Sequence, residues 1–199
     1  MARASIRWKC PTSPAICWHC QSRWKPNATP PRCGALILPK GYLLDTSMVS
    51  LLAPGREAFV ATPLSEWLQA HHKDLFLPAI AIAEMAQGIG KLRRAGGAER
   101  ADRLDRWLDG LLASYADRIL PLDAQVARLA GQISDAAIAQ GCHPGFADVA
   151  IAALAQHAGL LLLTCNLKHF QPLGVACADP LIALPAAHPI RAPAAKNSE

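Results

Sequence analysis

The first forty residues of this chain contain no aspartate and no glutamate, although seven lysines and arginines fall among them. That one-sided stretch supplies the formal net charge of +5, because beyond Lys40 the 199-residue chain holds only 13 basic against 15 acidic residues. Overall basicity is therefore no argument that the main body binds nucleic acid; the charge belongs to a terminal arm. Aromatic residues are scarce as well, 6% in a chain that is 52% apolar. The core must then be built from Ala, Leu, Ile and Val, which suits helices packed on a sheet. No apolar run reaches the ~18–20 residues that a membrane helix needs. The stretch from Val149 to Leu163 is broken by Gln156 and His157. The N-terminus has charge without an apolar segment behind it, which argues against a secretory signal. Seven cysteines, an odd number with no such signal, read as reduced thiols in a soluble cytoplasmic protein.

Residues 1–40 carry four of those cysteines, Cys10, Cys17, Cys20 and Cys33, among Pro, Trp and basic residues without periodicity. Cys17 and Cys20 have the C-x2-C spacing of a zinc site, which Cys10, His19 or Cys33 would complete. Zinc pairs come as two spaced couples, and only one is present. The segment is read as a disordered arm, or as translated sequence ahead of the native start. Residues 185–199 are rich in Pro and Ala and are read as a loose tail.

Between these ends, residues 41–184 follow a regular grammar. Tyr42–Leu44, Leu75–Leu77, Ile119–Leu122, Leu160–Leu163 and Gly174–Ala176 read as short strands. Leu64–His71, Ala79–Arg94, Glu99–Tyr115, a segment from the Asp123 cap to Gln140, and Phe146–His157 read as helices. Arg56–Ala61 is also compatible with a helix. In Glu99–Tyr115 a stripe of Leu104, Leu108, Leu111 and Leu112 faces inward, opposite Arg100, Asp102, Arg103, Asp105, Arg106 and Asp109. Apolar strands alternating with helices predict an α/β fold, a short and mostly parallel sheet of four or five strands flanked by helices.

In such a sheet, ligands bind beyond the carboxyl ends of the strands. Asp45 stands there, directly after Tyr42-Leu43-Leu44 and before the hydroxyls of Thr46 and Ser47. It is equally readable as a helix N-cap. Glu84 is the one acid in the apolar first two turns of its helix, where an unpaired carboxylate is costly. Asp148 is the one charge in Phe146–Ala155; a structural acid favoured by the helix dipole competes with a functional reading. Asn166 stands just past a strand end, and His169 reads as a ligand, a phosphate contact or an ordinary helix residue. Three carboxylates near strand ends make an oxygen-rich site of the kind that Mg²⁺ or Mn²⁺ prefers. Metal-assisted hydrolysis of a phosphate ester is the chemistry implied.

Four segments carry a family resemblance: Tyr42-Leu43-Leu44-Asp45-Thr46-Ser47, Ile82-Ala83-Glu84-Met85-Ala86-Gln87-Gly88-Ile89, Ala147-Asp148-Val149-Ala150-Ile151-Ala152-Ala153, and Leu163-Thr164-Cys165-Asn166-Leu167-Lys168-His169-Phe170. Their order and spacing resemble the PIN domain, and within it the VapC/FitB-like toxins, over about residues 41–180. The resemblance implies a three-layer PIN-like fold and a Mg²⁺- or Mn²⁺-dependent endoribonuclease. It also implies a cognate antitoxin that blocks the site, and a homodimer. Carried over by position, Asp45, Glu84 and Asp148 are the acidic metal-site residues. Asp45 and Asp148 are the direct ligands, Glu84 binds or orients a metal-bound water, and Thr46 and Asn166 lend support. Two positions depart from the pattern, since Cys165 stands where the family often has Arg and His169 where it often has Asp. A weakened second metal, a Mn²⁺ preference, or a domain that binds antitoxin or RNA without cutting would follow. A phosphatase of the haloacid-dehalogenase type is disfavoured, because it needs a second Asp two residues after the first and Ser47 stands there.

Overall fold

In the computed structural model, which describes residues 39–56 and 62–185, the apolar run Tyr42–Leu44 forms a fully buried strand, β1. Gly41 opens it where a Cβ would sit 2.7 Å from the Asp74 carbonyl oxygen, so only glycine lets the neighbouring backbone come this close. There follow α1 (Thr46–Leu51), α2 (Thr62–Ala70), β2 (Leu75–Pro78), α3 (Ala79–Arg94), α4 (Ala98–Ser114) and β3 (Ile119–Leu120). The second half runs α5 (Ala124–Ile138), α6 (Phe146–Ala158), β4 (Leu161–Leu163), α7 (Leu167–Phe170) and β5 (Cys177–Ala178). All strand pairs are parallel, in the order β3-β2-β1-β4-β5. The expected α/β fold with a parallel sheet between helical layers is the one observed.

The two-residue period of the strands divides the core into two layers. Leu43 and Leu162 face one cluster with Val126, Ala130 and Ile133 of α5 and the apolar body of α6. Tyr42, Leu44 and Leu163 face the other, with Met48 of α1, Trp67 of α2, Met85 and Ile89 of α3 and Leu108 of α4. Helix α6 is buried at every position from Val149 to Ala155, which explains why that stretch holds no charge. Gly159, in the left-handed region at φ 66°, ends it and turns the chain into β4. The inward stripe of α4 is also as expected: Leu104, Leu108 and Leu111 join the core while the charged positions are exposed. Leu112 is half-buried.

Two strands differ from expectation by more than one residue. β3 stops at Leu120, since Pro121 has no N–H to give the ladder. β5 lies at Cys177–Ala178, later than Gly174–Ala176. Gly174, at φ 68°, is consumed in ending a short 3₁₀ turn over Gln171–Leu173, and pairing starts only when Ala176 accepts from the Leu162 N–H. Arg56 is not helical, and residues 57–61 lie outside the described residues, as do the Cys17–Cys20 zinc reading and the tail beyond 185.

Candidate active site

Successive strands step from β1 towards β3 on one side and lie at β4 and β5 on the other, so the order reverses between β1 and β4. A crevice opens at the carboxyl ends of such a pair. Asp45 closes β1 and Thr164 closes β4, which places both at that crevice. The Asp45 N–H donates to the Leu163 carbonyl at 3.1 Å and holds the two strand ends together.

The Asp45 side chain is 3% exposed. Its Oδ1 accepts from the Ser47 hydroxyl at 2.7 Å and the Met48 N–H at 2.8 Å, and its Oδ2 accepts from the Thr164 hydroxyl at 2.7 Å. The helix-cap alternative is therefore correct as geometry: Asp45 is the N-cap of α1. Burial raises its pKa above the ordinary carboxylate value, and donation from Ser47, Met48 and Thr164 pulls part of that back. Among the described residues no cation pairs with it. A buried carboxylate held only by neutral donors is an environment that favours either a proton or a bound positive charge.

Thr46, one residue on, donates from Oγ1 to Glu84 Oε2 at 2.5 Å. Glu84 is half-buried in the second turn of α3, which starts at the carboxyl end of β2. One hydroxyl thus ties the helix after β1 to the helix after β2, and brings Glu84 against Thr46, the residue that follows Asp45.

Thr164 was not singled out from the sequence, yet it is fully buried and its hydroxyl does two things. It donates to Asp45 and accepts from the Asn166 N–H at 2.9 Å. The available signal was positional, since Thr164 follows an apolar strand as Asp45 does. Asn166 enters the network through its backbone; its exposed side chain makes no capping bond. Cys165 donates its N–H to Ser47 Oγ at 3.0 Å, and burial pushes its thiol pKa up.

Asp148 sits in the first turn of α6, where the helix dipole favours a negative charge. Its Oδ2 lies 3.3 Å from His169 Nδ1 of α7. This pair lines a cavity of about 290 Å³ together with His143 and Lys168. Asp148 is thus at the crevice end of its helix, beside the segment that follows β4, but it shares no hydrogen bond with Asp45 or Glu84. Among the described residues no three Asp, Glu, His or Cys side chains converge closely enough to form a metal cage. The donor set still fits a hard divalent cation in kind. It offers carboxylate oxygens on three elements, one of them buried without a counter-charge, and Mg²⁺ is held by one or two carboxylates with water completing its shell.

A family profile described as PIN domain matches residues 42–172. Toxin FitB from Neisseria gonorrhoeae is 33% identical over 141 residues, which is 69% of this chain and 96% of FitB. The crystal structure of FitAcB from the same organism superposes with a TM-score of 0.60 at 31% identity, covering 70% of this chain and 97% of that one. FitAB bound to an IR36 DNA fragment gives 0.55 at 29% identity, over 74% and 98%. DNA-bound VapBC from Salmonella typhimurium shares the fold, with a TM-score of 0.59 at 22% identity over 70% and 97%.

Proposed function

The chain belongs to the PIN-domain family, and on that premise we propose that it is the toxin component of a type II toxin–antitoxin system, a Mg²⁺- or Mn²⁺-dependent endoribonuclease that hydrolyses RNA phosphodiester bonds. The observation that carries this reading is the buried Asp45 carboxylate at the β1–β4 crevice, held by Ser47, Met48 and Thr164, while the hydroxyl of the next residue, Thr46, donates to Glu84. When bound, the cation supplies Lewis-acid stabilisation of the charge that develops on the phosphodiester. Asp45 and Asp148 would hold the cation, and Glu84 would orient water beside it. Thr164 and Ser47 fix the Asp45 carboxylate in place, and Thr46 fixes that of Glu84. Asn166 supports the crevice by bonding Thr164.

The relatives support the partners proposed. FitB is a toxin by name, and the neighbouring structures are FitAB and VapBC complexes. A cognate antitoxin covering the site, and a homodimer, are proposed for this chain on that likeness. A cytoplasmic location is consistent with the described helices, none of which is long and apolar enough to cross a membrane.

The test is RNA cleavage with Mg²⁺ or Mn²⁺. Asp45→Asn and Asp148→Asn should each lower the rate by about 10²–10³, the usual cost of removing a group that stabilises transition-state charge. Cleavage that persists unchanged in both variants and in excess chelator would overturn the proposal. A second reading, a PIN domain that binds without cutting, is favoured by one observation: His169 already engages the Asp148 carboxylate. RNA or antitoxin binding with no cleavage under any divalent cation would establish that reading instead.

A further inference from the structure

One groove in the molecule leads away from the site. A cavity of about 230 Å³ begins at Thr46 and Glu84 and runs over Met85, Leu104 and Trp107 to Arg56 and Arg100. Through Arg100 and Leu104 it continues into a second cavity, of about 500 Å³, that reaches Arg103. The groove therefore has an end at Thr46 and the Glu84 carboxylate, an apolar floor with an indole in it, and a guanidinium rim. Arg103 is paired with Glu99 at 2.7 Å. Among the described residues neither Arg56 nor Arg100 has a carboxylate partner.

We propose that this groove is a nucleotide subsite for single-stranded RNA, in which Arg56 and Arg100 hold a phosphate next to the scissile one and Trp107 and Leu104 take up the attached base. The assignment rests on the nuclease reading and deepens it. On the nuclease reading, a strand whose reacting phosphate lies beside Glu84 must continue past it, and the groove is the recess that opens there. Its lining repeats the chemistry of the strand, with an apolar, aromatic surface for a base and guanidinium groups for a phosphate. Charge complementarity is local. The body beyond Lys40 is slightly acidic overall, so two unpaired arginines beside the site are not a sample of a generally basic surface.

The experiment measures binding of a short fluorescent single-stranded RNA to the full-length chain carrying Asp45→Asn, so that the strand is held uncut. Arg56→Glu and Arg100→Glu are each added, with Arg106→Glu as a control. Arg106 is exposed on α4 outside the groove, and its reversal changes net charge by the same amount. The two groove variants should weaken RNA binding about ten-fold and lower the slope of log K against log salt by about one. The Arg106→Glu variant should stay within about two-fold of its parent, since it removes no phosphate contact. Arg100→Lys, which keeps the charge, should recover most of the loss. Equal weakening by all three reversals, or by none, would overturn the assignment. So would groove variants that keep RNA binding but escape inhibition by the antitoxin, because the groove would then be a protein-docking surface. These outcomes are separable from failure of the nuclease reading, which depends on metal-dependent cleavage by the unsubstituted chain. If that chain cuts RNA and the groove variants bind RNA as tightly as their Asp45→Asn parent, only the subsite assignment falls.

Discussion

Asp45 is held in a position that costs the fold energy. As an N-cap it satisfies the Met48 N–H, a contribution of about 1 kcal/mol for a side chain of this type. As a buried carboxylate without a counter-ion it pays for desolvation, and its pKa is raised for that reason. A raised folded-state pKa means that the native protein holds this proton more tightly than the unfolded chain does. Asp45 therefore leaves the fold most stable below the unfolded value of 3.8. That advantage is lost as pH rises through the folded pKa, and the full penalty applies above it. Asparagine caps helices as well as aspartate does and carries no charge. Asp45→Asn should accordingly melt higher than the parent at neutral pH, with each kcal/mol of relief giving about 2–4 °C in a domain of this size. The gap should close in acid. Thermal melts of both proteins across the acid range test this, and a variant that melts lower at neutral pH would show that the site is not strained by its charge. A position where stability and activity are opposed is characteristic of functional sites.

At the scale of elements, the Thr164 hydroxyl is the side-chain link from the end of β4 to the Asp45 carboxylate at the end of β1. Thr164→Val keeps the shape but removes the donor to Asp45 and the acceptor for Asn166 N–H. A hydrogen bond to a charged group contributes about 1.5–3 kcal/mol, so the valine variant should lose that much in chemical denaturation while Thr164→Ser loses less than about 1 kcal/mol. Equal stability of the two variants would contradict the assigned role. This residue also marks where the sequence stops being informative. The helices α3, α4, α5 and α6 are legible from their apolar period and their caps, because those signals are local. Asp45, Glu84 and Asp148 are legible as lone acids in apolar surroundings at strand or helix ends. Thr164 is not, since its significance comes from the adjacency of β1 and β4, which joins residues 119 positions apart. The shift of β5 was hidden for a related reason. Gly174-Val175-Ala176 is apolar enough for a strand, but the left-handed turn at Gly174 leaves the ladder to begin beyond it.

For the whole molecule, the three proposed metal-site carboxylates belong to different elements, α1 through its cap, α3 and α6. On the proposed reading they act together only in the folded chain, because Asp45, Glu84 and Asp148 are far apart in sequence and are carried by the segments that follow β1, follow β2 and precede β4. A cation bound there has nothing comparable to bind in the unfolded chain, so it must stabilise the folded protein by RT ln(1 + [L]/Kd), about 2.7 kcal/mol at one hundred times Kd. Mn²⁺ is the right probe, because it prefers oxygen donors and leaves the thiolates of Cys17 and Cys20, which suit zinc, out of the reading. The unsubstituted chain should gain about 5–10 °C in melting temperature at saturating Mn²⁺. Asp45→Asn and Asp148→Asn should gain little, and Glu84→Gln an intermediate amount, since Glu84 acts on water beside the ion. A gain of equal size in every variant would place the ion elsewhere. No gain in the unsubstituted chain, together with no cleavage, would mean that the Asp148–His169 contact has closed the site to metal, leaving a PIN fold that binds its partners and does not cut.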